Sequence, residues 1–116
     1  MLQIPLKLSK DPVLLSLLER LKNSLDPERV YLFGSRARGS ADSDSDYDFL
    51  VVVPHSDKPR YQRNTEAYLA PCGIGAAKDV IVLTHKEFES SRRTAASLTS
   101  TVLGGGILLH EAGNES

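Results

Sequence analysis

Cysteine is nearly absent: Cys72 is the only one in 116 residues. That excludes an internal disulfide and a cysteine-rich zinc site. Set between Pro71 and Gly73 with no adjacent base, Cys72 reads as an inert thiol. Long apolar runs are missing as well, since none approaches the roughly eighteen residues of a membrane span. The N-terminus lacks the charged and apolar regions of a signal peptide, so a cytoplasmic protein without membrane association is expected. Neither charge dominates. A formal net charge of -1 gives no bulk electrostatic argument for nucleic-acid binding. The three histidines, His55, His85 and His110, are too scattered to form a helical metal pair. Gly104 to Gly106 lacks the Gly-Lys-Ser/Thr ending of a P-loop, and no dinucleotide fingerprint is present.

What remains is a chain of single-domain length, 1–116, with an ordinary 41% hydrophobic content, enough for one core. It is organised around Val30 to Val53, where two apolar runs, Val30 to Phe33 and Phe49 to Val53, bracket a loop of glycine, serine and charge. Both runs are rich in β-branched and aromatic residues, as buried strands are. Upstream, Ser9 or Asp11 with Pro12 signals a helix start. Leu14, Leu17, Leu18, Leu21 and Leu25 then recur at helical spacing until Asp26-Pro27 ends the run.

Ser35 is expected to cap a short segment, Arg36 to Arg38, after a tight turn at Gly34. Arg60 to Ala70 reads as a weaker helix with Tyr61, Tyr68 and Leu69 as its contacts. Asp79 to Leu83 forms a third strand. Thr84 with Glu87 makes a capping box for a helix through Phe88, whose end the sequence leaves open. Ile107 to Leu109 is a short apolar strand after the glycines. The expected fold is α/β: a mixed, twisted sheet with helices mainly on one face.

The chemistry lies in the acids. Strand alternation puts Asp46 and Asp48 on one face, about 6.5 Å apart, with Tyr47 and Phe49 on the other. If the third strand lies beside the second in matching register, Asp79 joins them. At ~5 Å and an effective dielectric of ~20, each like-charged pair costs about 3 kcal/mol. One or two divalent cations would remove that cost, and oxygen ligands favour Mg²⁺ or Mn²⁺ over zinc. Asp42 and Asp44 also fit a solvated turn. Gly34-Ser35, directly after the first strand, suits a phosphate held by backbone N–H groups and a hydroxyl. Arg36 and Arg38 either add charge-assisted phosphate contacts or are solvated arginines on a surface helix.

Gly34-Ser35, ten intervening residues and Asp46-Tyr47-Asp48 resemble the signature of the polymerase-beta-like nucleotidyltransferase superfamily. The string GSRARGSADSDSDYDFLVVV is close to its minimal single-domain members. The resemblance implies that Asp46 and Asp48 bind metal and that Asp79, in KDVIVLTHKEFE, supplies the third acid. It extends to Gly106 to Glu111, which is similar to the glycine-hydrophobic-glutamate tail of those members. Lys78 stands where an apolar residue is usual, on the face away from the acids. His110 stands where a tyrosine is usual.

The resemblance further implies a function. Minimal members are frequently paired with a small helical HEPN-type protein as a toxin–antitoxin system, the nucleotidyltransferase attaching AMP from ATP to a tyrosine of its partner. The short chain leaves little material for an acceptor pocket, which agrees with a macromolecular acceptor. Two alternatives stay open on sequence: transfer to a small molecule or an RNA end, and a non-catalytic antitoxin that acts by binding.

Overall fold

The computed structural model describes residues 6–39, 45–70 and 73–112, so Asp42, Asp44, Pro71 and Cys72 lie outside the described residues. A single helical turn, Leu6–Ser9 (α1), leads into Pro12–Leu25 (α2). Asp11 caps α2: its Oδ1 accepts from the Val13 and Leu14 amides at 3.0 and 3.1 Å, and Pro12 takes the position whose missing N–H costs nothing. Asp26 ends the helix in the left-handed region at φ 47°.

Next come Arg29–Phe33 (β1), Ser35–Arg38 (α3) and Tyr47–Val53 (β2). Arg60–Leu69 (α4) then crosses over to Lys78–Thr84 (β3). The chain finishes through His85–Ser91 (α5), Leu98–Gly105 (α6) and Ile107–Glu111 (β4). The sheet order is β3-β2-β1-β4, with β2 and β3 parallel and β1 antiparallel to both β2 and β4. The mixed sheet is as expected from sequence. A parallel pair needs a crossover, and α4 is that crossover.

The two longest helices lie on one face. Leu14, Leu17, Leu18 and Leu21 of α2 and Ala67 of α4 pack against Val30, Leu32, Phe49, Val51, Val80 and Val82. Each fully buried leucine contributes about 1.5–3 kcal/mol by area. The opposite face carries less: Phe88 of α5 and Val102 of α6 cover Tyr31, Leu50, Val52 and Leu83, with the Tyr31 and Phe88 rings stacked at 5.8 Å. Both faces of Phe49 to Val53 are therefore buried, as its unbroken apolar run anticipates.

Two local expectations are corrected, and two stretches the sequence leaves unread are resolved. Ser35 does not cap α3; it is the first helical residue, and Gly34 holds the cap position at φ 77°. On α4, Tyr61, Tyr68 and Leu69 are exposed (75, 49 and 57%), and the inward positions are Arg63 and Ala67. Arginine is rarely buried unless paired, and Arg63 is buried with its guanidinium held by several acceptors. Its Nε donates to the Lys58 carbonyl at 3.1 Å, and Nη1 donates to the Val82 carbonyl. Nη1 and Nη2 also grip Glu87 at 2.8 and 3.1 Å. The stretch after Phe88, unreadable by periodicity, resolves into the end of α5 and a new helix, α6, capped by the Ser97 hydroxyl on the Ser100 amide. The turn α1 has no counterpart in the sequence reading.

Gly106 joins α6 to β4 by close approach. A Cβ there would meet the Val102 carbonyl oxygen at 2.6 Å and that of Leu32 at 3.0 Å, and neither backbone atom can yield.

Candidate active site

The parallel pairing of β2 and β3 runs from Tyr47 opposite Lys78 to Val53 opposite Thr84, which sets Asp48 opposite Asp79. Directly paired residues project to the same side of a sheet. That side also carries Leu50, Val52, Ile81 and Leu83. On β1, Phe33 is the antiparallel partner of Asp48, so the Gly34 turn begins beside the same carboxylate. A Cβ added at Gly34 would collide with Asp48 Oδ2. At this position only glycine combines the backbone's positive φ with room for the acid.

The carboxylates sense one another. The Asp48 carboxyl is raised above its ordinary value, chiefly because burial disfavours its charge, then because Asp46 and Asp79 repel it; Arg38 opposes the shift. Asp46, Asp48 and Asp79 are thus brought to one end of the sheet. Arg38 is a cation whose charge reaches Asp48.

Arg36 is directed elsewhere. Its guanidinium lies over the Tyr47 ring, 3.9 Å from the centroid, and its Nε donates to the Ser45 carbonyl at 2.9 Å. Tyr47 belongs to the core on the α2 side, opposite the acids. Its hydroxyl donates to Asp11 Oδ2 at 2.8 Å, and burial together with this bond pushes the phenol up. Lys78 also faces the α2 side, its ammonium 4.3 Å from the Tyr68 ring centroid, in agreement with the orientation expected of it.

The donor set is three carboxylates, hard oxygen ligands suited to Mg²⁺ or Mn²⁺. Among the described residues no three His, Cys, Asp or Glu side chains form a closed metal cluster. The acids fit a cation in chemistry and in sharing one side of the sheet.

Sequence reasoning missed two participants. Asp11 is legible as a helix cap and Tyr47 as a core residue, yet their bond ties the two elements together. The available signal is chemical: a tyrosine on a buried face requires a partner for its hydroxyl.

Three comparisons bear on this arrangement. The family profile described as "Nucleotidyltransferase domain" matches residues 14–100. No curated protein matches the chain. Among solved structures, one described as a toxin–antitoxin with AMP-PNP superposes with a TM-score of 0.54 at 19% identity, covering 86% of this chain and 74% of that one. A protein from Sulfolobus solfataricus described as a nucleotidyltransferase gives 0.51 at 23% identity, covering 84% and 88%. At these identities the structural likeness establishes the fold.

Proposed function

Because the chain belongs to the nucleotidyltransferase family by a match over most of its length, we propose that it transfers AMP from ATP to a tyrosine hydroxyl of a small helical HEPN-type partner, as the antitoxin of a toxin–antitoxin pair in the cytoplasm. The carrying observation is the register that seats Asp48 opposite Asp79, with the Gly34 turn against the same carboxylate. The likeness of the fold to a toxin–antitoxin structure described with AMP-PNP supports the partner and the nucleotide.

In this reading Asp46, Asp48 and Asp79 hold the metal. Bound there, Mg²⁺ or Mn²⁺ supplies charge neutralisation to the triphosphate and to the departing pyrophosphate. Gly34 and Ser35 hold the terminal phosphates by backbone N–H and hydroxyl, and Arg38 adds a charge-assisted contact. The acceptor oxygen forms a new bond to the α-phosphorus as the α–β anhydride bond breaks. Pyrophosphate leaves with the bonding pair, and the hydroxyl proton passes to a carboxylate of the set. Asp46 and Asp79 are exposed and Asp48 is half-buried, which suits an acceptor presented by a second macromolecule.

The test is to incubate the chain with ATP, Mg²⁺ and a HEPN-type partner, then measure intact mass. A gain of one AMP on the partner, mapped to tyrosine, is expected. No gain with an otherwise competent partner overturns the proposed acceptor. A small molecule or RNA end that releases pyrophosphate in its place identifies the different acceptor class.

The likeness of the fold to a toxin–antitoxin structure is equally compatible with a second reading, an antitoxin that acts by binding alone. Asp46→Asn and Asp48→Asn decide between them: protection retained at equal abundance supports binding, and protection lost supports chemistry.

A further inference from the structure

Asp46 and Asp48 flank Tyr47, and Ser45 and Tyr47 are each held by neighbouring segments. Arg36 Nε holds the Ser45 carbonyl at 2.9 Å, one residue before Asp46. The Tyr47 amide donates to the Ala77 carbonyl at 3.0 Å, two residues before Asp79. The Tyr47 ring is covered by Arg36 and its hydroxyl is fixed to Asp11 at 2.8 Å. Asp11 is itself immobilised, because its other oxygen caps α2.

A half-open pocket of about 360 Å³ lies beside Val13, Arg36, Ser45, Tyr47 and Ala77, so on that side polar bonds add to core packing in holding the strand start. Arg36 also belongs to the short helix that Gly34 opens. One side chain therefore connects the Gly34 turn to the strand bearing the acids.

We propose that Tyr47, clamped between Arg36 and Asp11, is a positioning residue that sets the spacing and direction of Asp46 and Asp48 toward a divalent cation. This rests on the reading of those acids as metal ligands given above. It assigns Arg36 to support from behind the strand, in place of the phosphate contact that its position in sequence suggests. Deleting the hydroxyl frees the ring to turn, and because strand neighbours move together, both carboxylates tilt with it. Groups that orient metal ligands typically change metal affinity by about 10–100-fold when removed.

The experiment measures Mn²⁺ binding by electron paramagnetic resonance and the Mg²⁺ dependence of turnover in the full chain. The variants are Tyr47→Phe, Asp11→Ser and the two combined. Asp11→Ser keeps a good helix cap but is too short to reach Tyr47. Each single variant is expected to weaken Mn²⁺ binding and raise the Mg²⁺ concentration for half-maximal turnover by about 10-fold, with turnover restored at saturating Mg²⁺. The double variant is expected to match the singles, because all three remove one shared bond. A purely structural role would lower the melting temperature and leave the metal constants in place, and that result overturns the proposal. So does additivity in the double variant. Asp48→Asn is measured alongside. If it binds Mn²⁺ like the parent, the metal-site reading itself fails; if it loses Mn²⁺ while Tyr47→Phe retains it, only the clamp fails.

Discussion

Asp79 is the direct partner of Asp48 across the parallel pair β2 and β3, and each stands two residues before an apolar side chain of the same face, Ile81 and Leu50. The acids thus continue an otherwise apolar face to its end. Such a placement costs stability, because partial burial and mutual repulsion both disfavour the charged form of Asp48. Two substitutions probe the consequences, and a third tests the buried Arg63.

Asp48→Asn is expected to stabilise the metal-free protein at neutral pH while abolishing metal response. The sign follows from linkage. An acid whose folded pKa lies above its unfolded value loses stability as pH rises from the unfolded pKa to the folded one, and the cost then persists at neutral pH. Removing the charge removes the cost. Mg²⁺ at ten times its dissociation constant is expected to stabilise the parent by about 1.4 kcal/mol and to leave the Asn variant unshifted. Thermal unfolding with and without Mg²⁺ reads both.

Gly34→Ala tests the turn against the acid. The backbone at φ 77° is strained for alanine, and the added methyl meets Asp48 Oδ2. The combined expectation is a loss of about 1–3 kcal/mol and a displaced carboxylate. Denaturant unfolding measures the first, and nucleotide transfer is expected to fall by far more than the folded fraction does.

Glu87→Gln tests the buried Arg63. The bidentate bond from Arg63, seconded by the Thr84 amide, holds Glu87 down at about 2 from its ordinary 4.5. A depressed folded pKa contributes stability that is present above 4.5 and lost as pH falls toward 2. The parent is expected to lose stability in that window at a slope of at most about 1.4 kcal/mol per pH unit from this group. Glu87→Gln is expected to lack that component and to be less stable at neutral pH. Chemical denaturation at a series of pH values checks the slope.

The sequence made the strands legible because their patterning is strong: Phe49 to Val53 is apolar without interruption, and Asp46 and Asp48 alternate with Tyr47 and Phe49. The capping box at Thr84 and Glu87 was readable because it is chemistry between near neighbours. Arg63 was not, since its burial depends on Lys58, Val82 and Glu87 converging from three segments. Tyr61 and Tyr68 misled because residues seven apart share a helix face whether that face is inside or outside. Arg36 and Arg38 look equivalent in sequence. Their division of labour follows from their spacing, since residues two apart lie on different sides of a helix, one guanidinium toward Tyr47 and the other charge toward Asp48.

The two side edges of the sheet differ in what they offer a neighbouring chain. At Val82 the outward amide is taken by Asn64 Oδ1 at 2.8 Å and the outward carbonyl by Arg63, both from α4. A bare ribbon margin templates additional strands and, through them, fibrils or exchanged arms. With the β3 side stapled shut there, any such accretion is steered to the β4 margin, where His110 and Glu111 and an irregular register with β1 discourage flat stacking.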